Sequence, residues 1–311
     1  MLIKFISLIK KLKNPSDRRM VMKIKNMIKD FFVNLTFLGP SLIGLVVFYI
    51  APFVWMIYFS FLDGTVNGRF VGLQNYMSLL DNKVYKLAVN NTVTFTLIAV
   101  PAIVIFSLLI ALLLNKGVHF EEKLKSSFII PMVVPVASII IFFDLLFDSR
   151  GVLNNILRLF NVQAIDWKNS SYSMIVIIVM YIWKNLGYNI ILFLAGLNNI
   201  PKVYYELADV ECAGVMDKFF KITLIYLSPT IFFVIVISII NSFKVFKEVF
   251  LLSGSYPNQR IYMLQHYMNN MFSKLEYNKL VTSAILMAMV IYILMFVLFR
   301  IQKKINDDIS G

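Results

Sequence analysis

The sequence predicts an all-α integral membrane protein of six transmembrane helices, with both termini cytoplasmic and a short cytoplasmic helix between spans four and five. Three observations predict it. The 311-residue chain is 59% hydrophobic with a mean hydropathy of +0.77, more apolar side chain than a soluble domain of this length needs. Those residues come in blocks of about 20, the length that crosses a bilayer as a helix. The net charge of +13 is concentrated at the ends of the chain rather than over a folded surface, which argues against nucleic acid as a partner.

The six blocks are 35–62, 92–114, 127–147, 173–197, 225–251 and 281–301. Their spacing leaves no polar stretch for a soluble domain. The chain therefore divides into a basic N-terminal segment (1–34), a six-span domain (35–304) and a tail (305–311). Nine of the 30 Lys and Arg residues precede the first span, from Lys4 to Lys29, and basic flanks stay on the cytoplasmic side. Six spans return the C-terminus to that side, where Arg300, Lys303 and Lys304 follow the last one. The loops between carry three basic residues each, so orientation rests on the ends. Leu2, Phe5, Ile9 and Leu12 share one helical face in a run interrupted by lysines. That pattern predicts a short helix on the inner membrane face and not a cleaved signal, which needs an unbroken apolar stretch. A disordered basic tail is the alternative.

Catalytic chemistry is hard to place. Cys212 is the single cysteine, which excludes an internal disulfide and a cysteine-cluster metal site. Gly39 and Gly44 have the spacing of a phosphate loop, but Leu45 stands where a lysine is required. No cofactor and no enzymatic activity are expected. Ion-coupled transport uses intramembrane acids or repeated halves. The spans hold only Asp144 and Glu248, both near outer ends, and no repeat is visible.

Residues 198–224 form the most informative loop. Pro201 is suited to the first position of a helix, and Val203, Leu207 and Val210 then make a narrow apolar stripe, with Glu206, Asp209 and Ala213 on another face. Four acids, Glu206, Asp209, Glu211 and Asp217, oppose the basic bias of an inner loop. An amphipathic helix with an acidic face is suited to docking a partner. A helix lying on the headgroups is the alternative.

This loop resembles the EAA loop of binding-protein-dependent ABC importer permeases, E-A-A-x-x-x-G followed after nine residues by I-x-L-P. Glu206 and Ala208 match the first and third letters, Ala213 the alanine that often follows the glycine, and Ile222 and Leu224 the I-x-L. Leu207, Cys212 and Ile225 depart from the second alanine, the glycine and the proline. Cysteine is disfavoured in the left-handed turn a glycine would serve, so the helix is expected to run on to Gly214. Further segments are similar to the carbohydrate branch of the family, of maltose type. They include Phe37-Leu-Gly-Pro40, Asn91-Thr92, Pro131…Pro135, Gly151-Val-Leu-Asn154 with Trp167, and Leu194-Ala-Gly-Leu197. The resemblance implies a coupling helix that meets a cytoplasmic ATPase through Glu206, Ala208, Asp209, Ala213 and Gly214. It also implies a second permease subunit, two cytoplasmic ATP-binding subunits, an external solute-binding protein and a bacterial cell membrane around them.

Span four carries Tyr181, Lys184, Asn185, Tyr188 and Asn189 on one helical face. A lysine facing lipid at mid-span costs about 2.5–3.5 kcal/mol, so Lys184 is expected to meet a wet cavity or an opposite charge. Span five adds Ser238, Asn241, Lys244 and Glu248. Rings beside amides and a charge suit a sugar, and the substrate-pore candidates are Tyr181, Lys184, Asn185, Tyr188, Asn241 and Lys244. Polar glue between helices is the alternative for this face, and snorkelling to the interface is the alternative for Lys244. The lysines leave an acidic or phosphorylated sugar open as the solute. An ion-coupled carrier and a scaffold or sensor remain the competing classes.

Overall fold

A computed structural model describes residues 26, 29–30, 33–34, 36–64, 68–115, 130–131 and 134–310. The proposed interfacial helix at 1–13 lies outside them. Every regular element among the described residues is helical, with one isolated antiparallel bridge between Leu62 and Phe70. The chain forms two compact units, Met1–Ser60 and Phe61–Gly311.

The first unit contains a long apolar helix, α1 (Thr36–Phe59). A wide π turn over Val46–Ile50 interrupts its regular winding, and Pro52 opens the next stretch. Proline has no N–H to give the preceding turn, and a local change of winding absorbs the loss. The side chains of α1 are largely exposed, with Trp55 stacked on Phe59 at 5.6 Å.

The second unit runs α2 (Gln74–Asp81), α3 (Lys83–Asn115), α4 (Val136–Phe147), α5 (Val152–Leu159), α6 (Ser173–Asn198), α7 (Lys202–Val210), α8 (Val215–Lys218), α9 (Leu224–Phe243), α10 (Phe246–Ser253), α11 (Leu264–Ser273) and α12 (Tyr277–Ser310). Among the described residues, five helical runs are long and apolar enough to cross a membrane: α1, α3, α6, the run Val215–Ser253 and Tyr277–Ile305. The expected third span, 127–147, is described only in part. Within it, α4 begins after Pro135 and has 12 residues, short of a bilayer by itself.

The centre of this unit is α3, α6 and α9. Phe95, Ala99, Ile103, Ile177 and Tyr181 pack toward one end, and Ala111, Ile190, Phe193, Leu197 and Leu227 toward the other. Gly196 shows how close α6 and α9 come: a Cβ there would lie 2.5 Å from Thr230 Oγ1. Small residues at such crossings let helix backbones approach where apolar burial gives little drive in lipid.

Two motifs hold the end of the unit remote from the 198–224 loop. Asn91 donates to the carbonyls of Gln259 (2.6 Å) and Tyr262 (3.0 Å), and Thr92 accepts from the Leu264 amide at 2.9 Å. The 254–264 loop is thereby tied to the start of α3. Asn154, fully buried, bonds the carbonyls of Asp148 and Ile165, the Ile165 amide and Trp167 Nε1. Gly151 precedes it because a Cβ there would sit 2.4 Å from the Leu145 carbonyl.

Candidate functional site

The loop helix α7 forms over Lys202–Val210, with Pro201 in extended geometry as its N-cap rather than its first helical residue. It does not run on to Gly214. Cys212 has φ 52°, its amide bonds the Asp209 carbonyl at 3.0 Å, and the Ala213 amide bonds the Ala208 carbonyl at 2.9 Å. This is a Schellman ending, with cysteine in the left-handed position that glycine usually fills. The two hydrogen bonds satisfy terminal carbonyls and outweigh a left-handed penalty of roughly 1–2 kcal/mol. Gly214 instead caps the start of α8 with φ −66° and ψ 164°, an extended geometry open to other residues.

The faces of α7 differ in burial. Ala208 is buried and Tyr205 half-buried, while Val203, Leu207 and Val210 are exposed. The apolar stripe therefore faces outward, with exposed Glu206 along its edge. Asp209 pairs with Lys218, and Asp217 with Lys221 at 2.8 Å, so two of the four acids are neutralised within the loop. Glu206 and Glu211 have no ion pair among the described residues. The Tyr205 hydroxyl lies 2.9 Å from Thr223 Oγ1, within a π turn, Phe219–Thr223, that leads straight into α9.

At the far end of α9 the expected continuous span breaks. Lys244 and Val245 form a turn between α9 and α10, with tight bonds from the Lys244 amide to Asn241 and from the Glu248 amide to Val245. Irregular backbone at membrane depth persists where it lines a cavity or is buried in protein. A cavity of about 90 Å³ lies there, lined by Tyr181, Lys184, Asn185, Asn241, Lys244 and Glu248 beside Val245.

Five of the six pore candidates thus come together. Tyr188 does not line this cavity and is half-buried elsewhere on α6, because a residue seven positions on from Tyr181 lies two helical turns, about 10 Å, along the axis. Lys184 pairs with Glu248, which is 4% exposed. The opposite charge that the lysine requires is therefore on α10, 64 residues away in sequence. Glu248 belongs on the site list, and its signal was a lone acid on the Asn241–Lys244 face. Tyr181 donates to the Ser238 carbonyl at 2.6 Å, Asn189 to Ser238 Oγ at 3.0 Å, and Asn185 to the Tyr181 carbonyl at 2.8 Å. Tyr181 and Asn189 therefore also serve as interhelical glue.

Residues 80–311 match the family described as binding-protein-dependent transport system inner membrane component. The chain is 32% identical over 283 residues to the arabinooligosaccharides transport system permease protein AraP of Bacillus subtilis, covering 88% of each. It is 35% identical to AraP of Halalkalibacterium halodurans, covering 68% of this chain and 69% of that one. It is also 30% identical to the sulfoquinovosyl glycerol transport system permease protein SmoG of Agrobacterium fabrum, over 77% of this chain and 80% of that protein. A chain of a bacterial alginate ABC transporter, solved with an alginate pentasaccharide-bound periplasmic protein, superposes with a TM-score of 0.79 at 19% identity, covering 90% of this chain and 97% of that one. That last likeness is one of fold. The chain belongs to the family of binding-protein-dependent transport system inner membrane components, the permeases of ABC importers that its sequence resembles.

Proposed function

We propose that this chain is one of two permease subunits of an ATP-driven importer and forms half of the path for a saccharide delivered by an external binding protein. One juxtaposition carries the reading. The exposed 202–224 loop and the polar cavity at the Lys244–Val245 break lie at opposite ends of one helix, α9. The outward row Val203, Leu207 and Val210, edged by Glu206, offers an ATPase an apolar surface bordered by an acid that has no ion pair among the described residues. Displacement of α7 reaches α9 through the Tyr205–Thr223 bond and the π turn, and α9 carries it to Asn241 and Lys244. The exposed apolar surface of α1 fits lipid or the second permease subunit. Relatives named for arabinooligosaccharides and sulfoquinovosyl glycerol support a saccharide as solute.

At the cavity, Asn185 and Asn241 supply amides for hydroxyl groups, and Tyr181 and the Lys184–Glu248 pair fix the wall. Asn185→Leu and Asn241→Leu are expected to lower uptake of radiolabelled arabinotriose about tenfold, with assembly unchanged. Tyr188→Ala should have a smaller effect, because its ring is outside the cavity. Parental uptake by both asparagine variants would reduce this face to helix packing.

A second reading, an acidic saccharide, has one observation in its favour. Glu248 neutralises Lys184, whereas Lys244 lines the cavity without an ion pair among the described residues. Loss of uptake of an acidic but not a neutral sugar in Lys244→Met would select it.

A further inference from the structure

A second cavity lies at the end of the molecule remote from the coupling loop, where α3 and α12 begin. Its volume is about 430 Å³, against about 90 Å³ at the helix break. Ligand pockets run from about 300 to 1,000 Å³, and a water takes up about 30 Å³. As shaped here, then, one subunit's cavity at the break holds a few waters, whereas the outer one has room for a sugar ring.

The floor of the outer cavity is Tyr262, Tyr267 and Met271, all buried. The Tyr267 hydroxyl is buried with no hydrogen-bond partner among the described residues, a costly state unless a ligand or water completes it. Burial, with Glu276 nearby, pushes this phenol up to about 12, so it remains a donor. Asn270 donates to the Tyr262 hydroxyl at 3.1 Å and the Ser255 carbonyl at 3.0 Å, which orients the second phenol. Asn82 spends its carbonyl oxygen capping α3, accepting from the Val84 and Tyr85 amides, and lines the cavity. Gln259 and the Tyr256 ring stand exposed at the rim. Phenol and amide groups line the cavity together with Lys274, Glu276 and Lys279, and the Lys274 ammonium lies 6.0 Å from the centre of the Tyr256 ring; this lining presents donors and acceptors to the hydroxyls of a sugar.

We propose that this outer cavity is a saccharide-binding subsite, separate from the cavity at the helix break, that holds a sugar unit before it enters the membrane path. The proposal rests on the saccharide reading above. Its position also favours it: the Asn91–Thr92 clamp fixes the 259–264 segment that supplies Gln259 and Tyr262, so the subsite is built on a held loop.

The test uses the full chain assembled with its partner subunits in nanodiscs, without the external binding protein. Saturation-transfer NMR is recorded with arabinotriose and with maltotriose, and uptake of the same sugars is measured in cells. Wild type is expected to transfer saturation to at least one sugar, and the rim variants Tyr256→Ala and Gln259→Ala to weaken that binding about five- to tenfold. Asn185→Leu should leave it intact. No signal from wild type, or a signal that vanishes in Asn185→Leu and survives in the rim variants, overturns the subsite. Weakened docking of the binding protein by the rim variants, with no sugar signal, would instead assign the cavity to a peptide and also overturns it. Cellular uptake separates the two readings: a sugar that is taken up yet never touches the outer cavity sinks the subsite alone, whereas uptake of neither sugar counts against the saccharide reading.

Discussion

Lys184 and Glu248 illustrate how one residue constrains another across the fold. Removing one partner strands a charge in a low-dielectric site, at a cost of about 3–5 kcal/mol, whereas replacing both with apolar groups is often neutral. Lys184→Met alone should therefore lower the melting temperature more than the Lys184→Met, Glu248→Met double variant does. Equal losses from single and double variants would mean the pair contributes nothing through its charge. Cys212 poses the opposite case, a strained residue inside a satisfied turn. Cys212→Gly should stabilise the loop by about 1 kcal/mol, and Cys212→Val should destabilise it, both read by amide exchange at Ala213. Slower exchange in the valine variant would contradict the left-handed assignment. The sequence showed that a glycine was missing there. It could not show that two hydrogen bonds would hold the turn without one, because that balance depends on where α7 stops.

Among the elements, α11 has a built-in pH dependence. His266 is fully buried, its Nδ1 accepts from the Met263 amide at 3.3 Å, and its Nε2 has no partner among the described residues. The Phe246 ring packs edge-on at 4.7 Å and Tyr262 at 5.8 Å. Burial holds the imidazole down at about 4, below its usual 6.5. The folded state thus favours the neutral form: stability is full above pH 6.5 and falls as pH drops through 6.5 toward 4, by on the order of 3 kcal/mol. Melting of the reconstituted protein from pH 8 to 4.5 should show this limb, and His266→Gln should flatten it. Identical profiles would remove the histidine from the account. Legibility at this scale followed periodicity and length. The long apolar runs and the loop helix were readable, since 3.6-residue spacing and bilayer length leave few alternatives. The outward turn of Val203, Leu207 and Val210 was not, because an apolar stripe facing a partner looks the same in sequence as one facing a core. The break at Lys244–Val245 was hidden too, in a segment with neither glycine nor proline to mark it.

For the whole molecule, the proposed path from the 202–224 loop to the cavity at Lys244–Val245 rests on the six-span arrangement proposed from the basic termini. Cysteines introduced at Ser16 and Asp308 should resist an impermeant thiol reagent added outside, and one at Ser78 should react; labelling of Ser16 in intact cells contradicts that orientation. The residues proposed for the pore were legible as a polar face, but their assembly depended on partners some 50–65 residues apart, which spacing within one helix cannot report. The central claim is that α7 delivers the action of an ATPase to α9. Glu206→Lys tests it most directly, since it reverses the one strongly matching acid at the edge of the exposed face without touching a buried contact. A charge-assisted contact contributes about 1.5–3 kcal/mol, so the inserted variant should copurify about tenfold less ATPase and lose coupling between hydrolysis and uptake. Wild-type copurification together with wild-type uptake would contradict the claim that this loop is the coupling element.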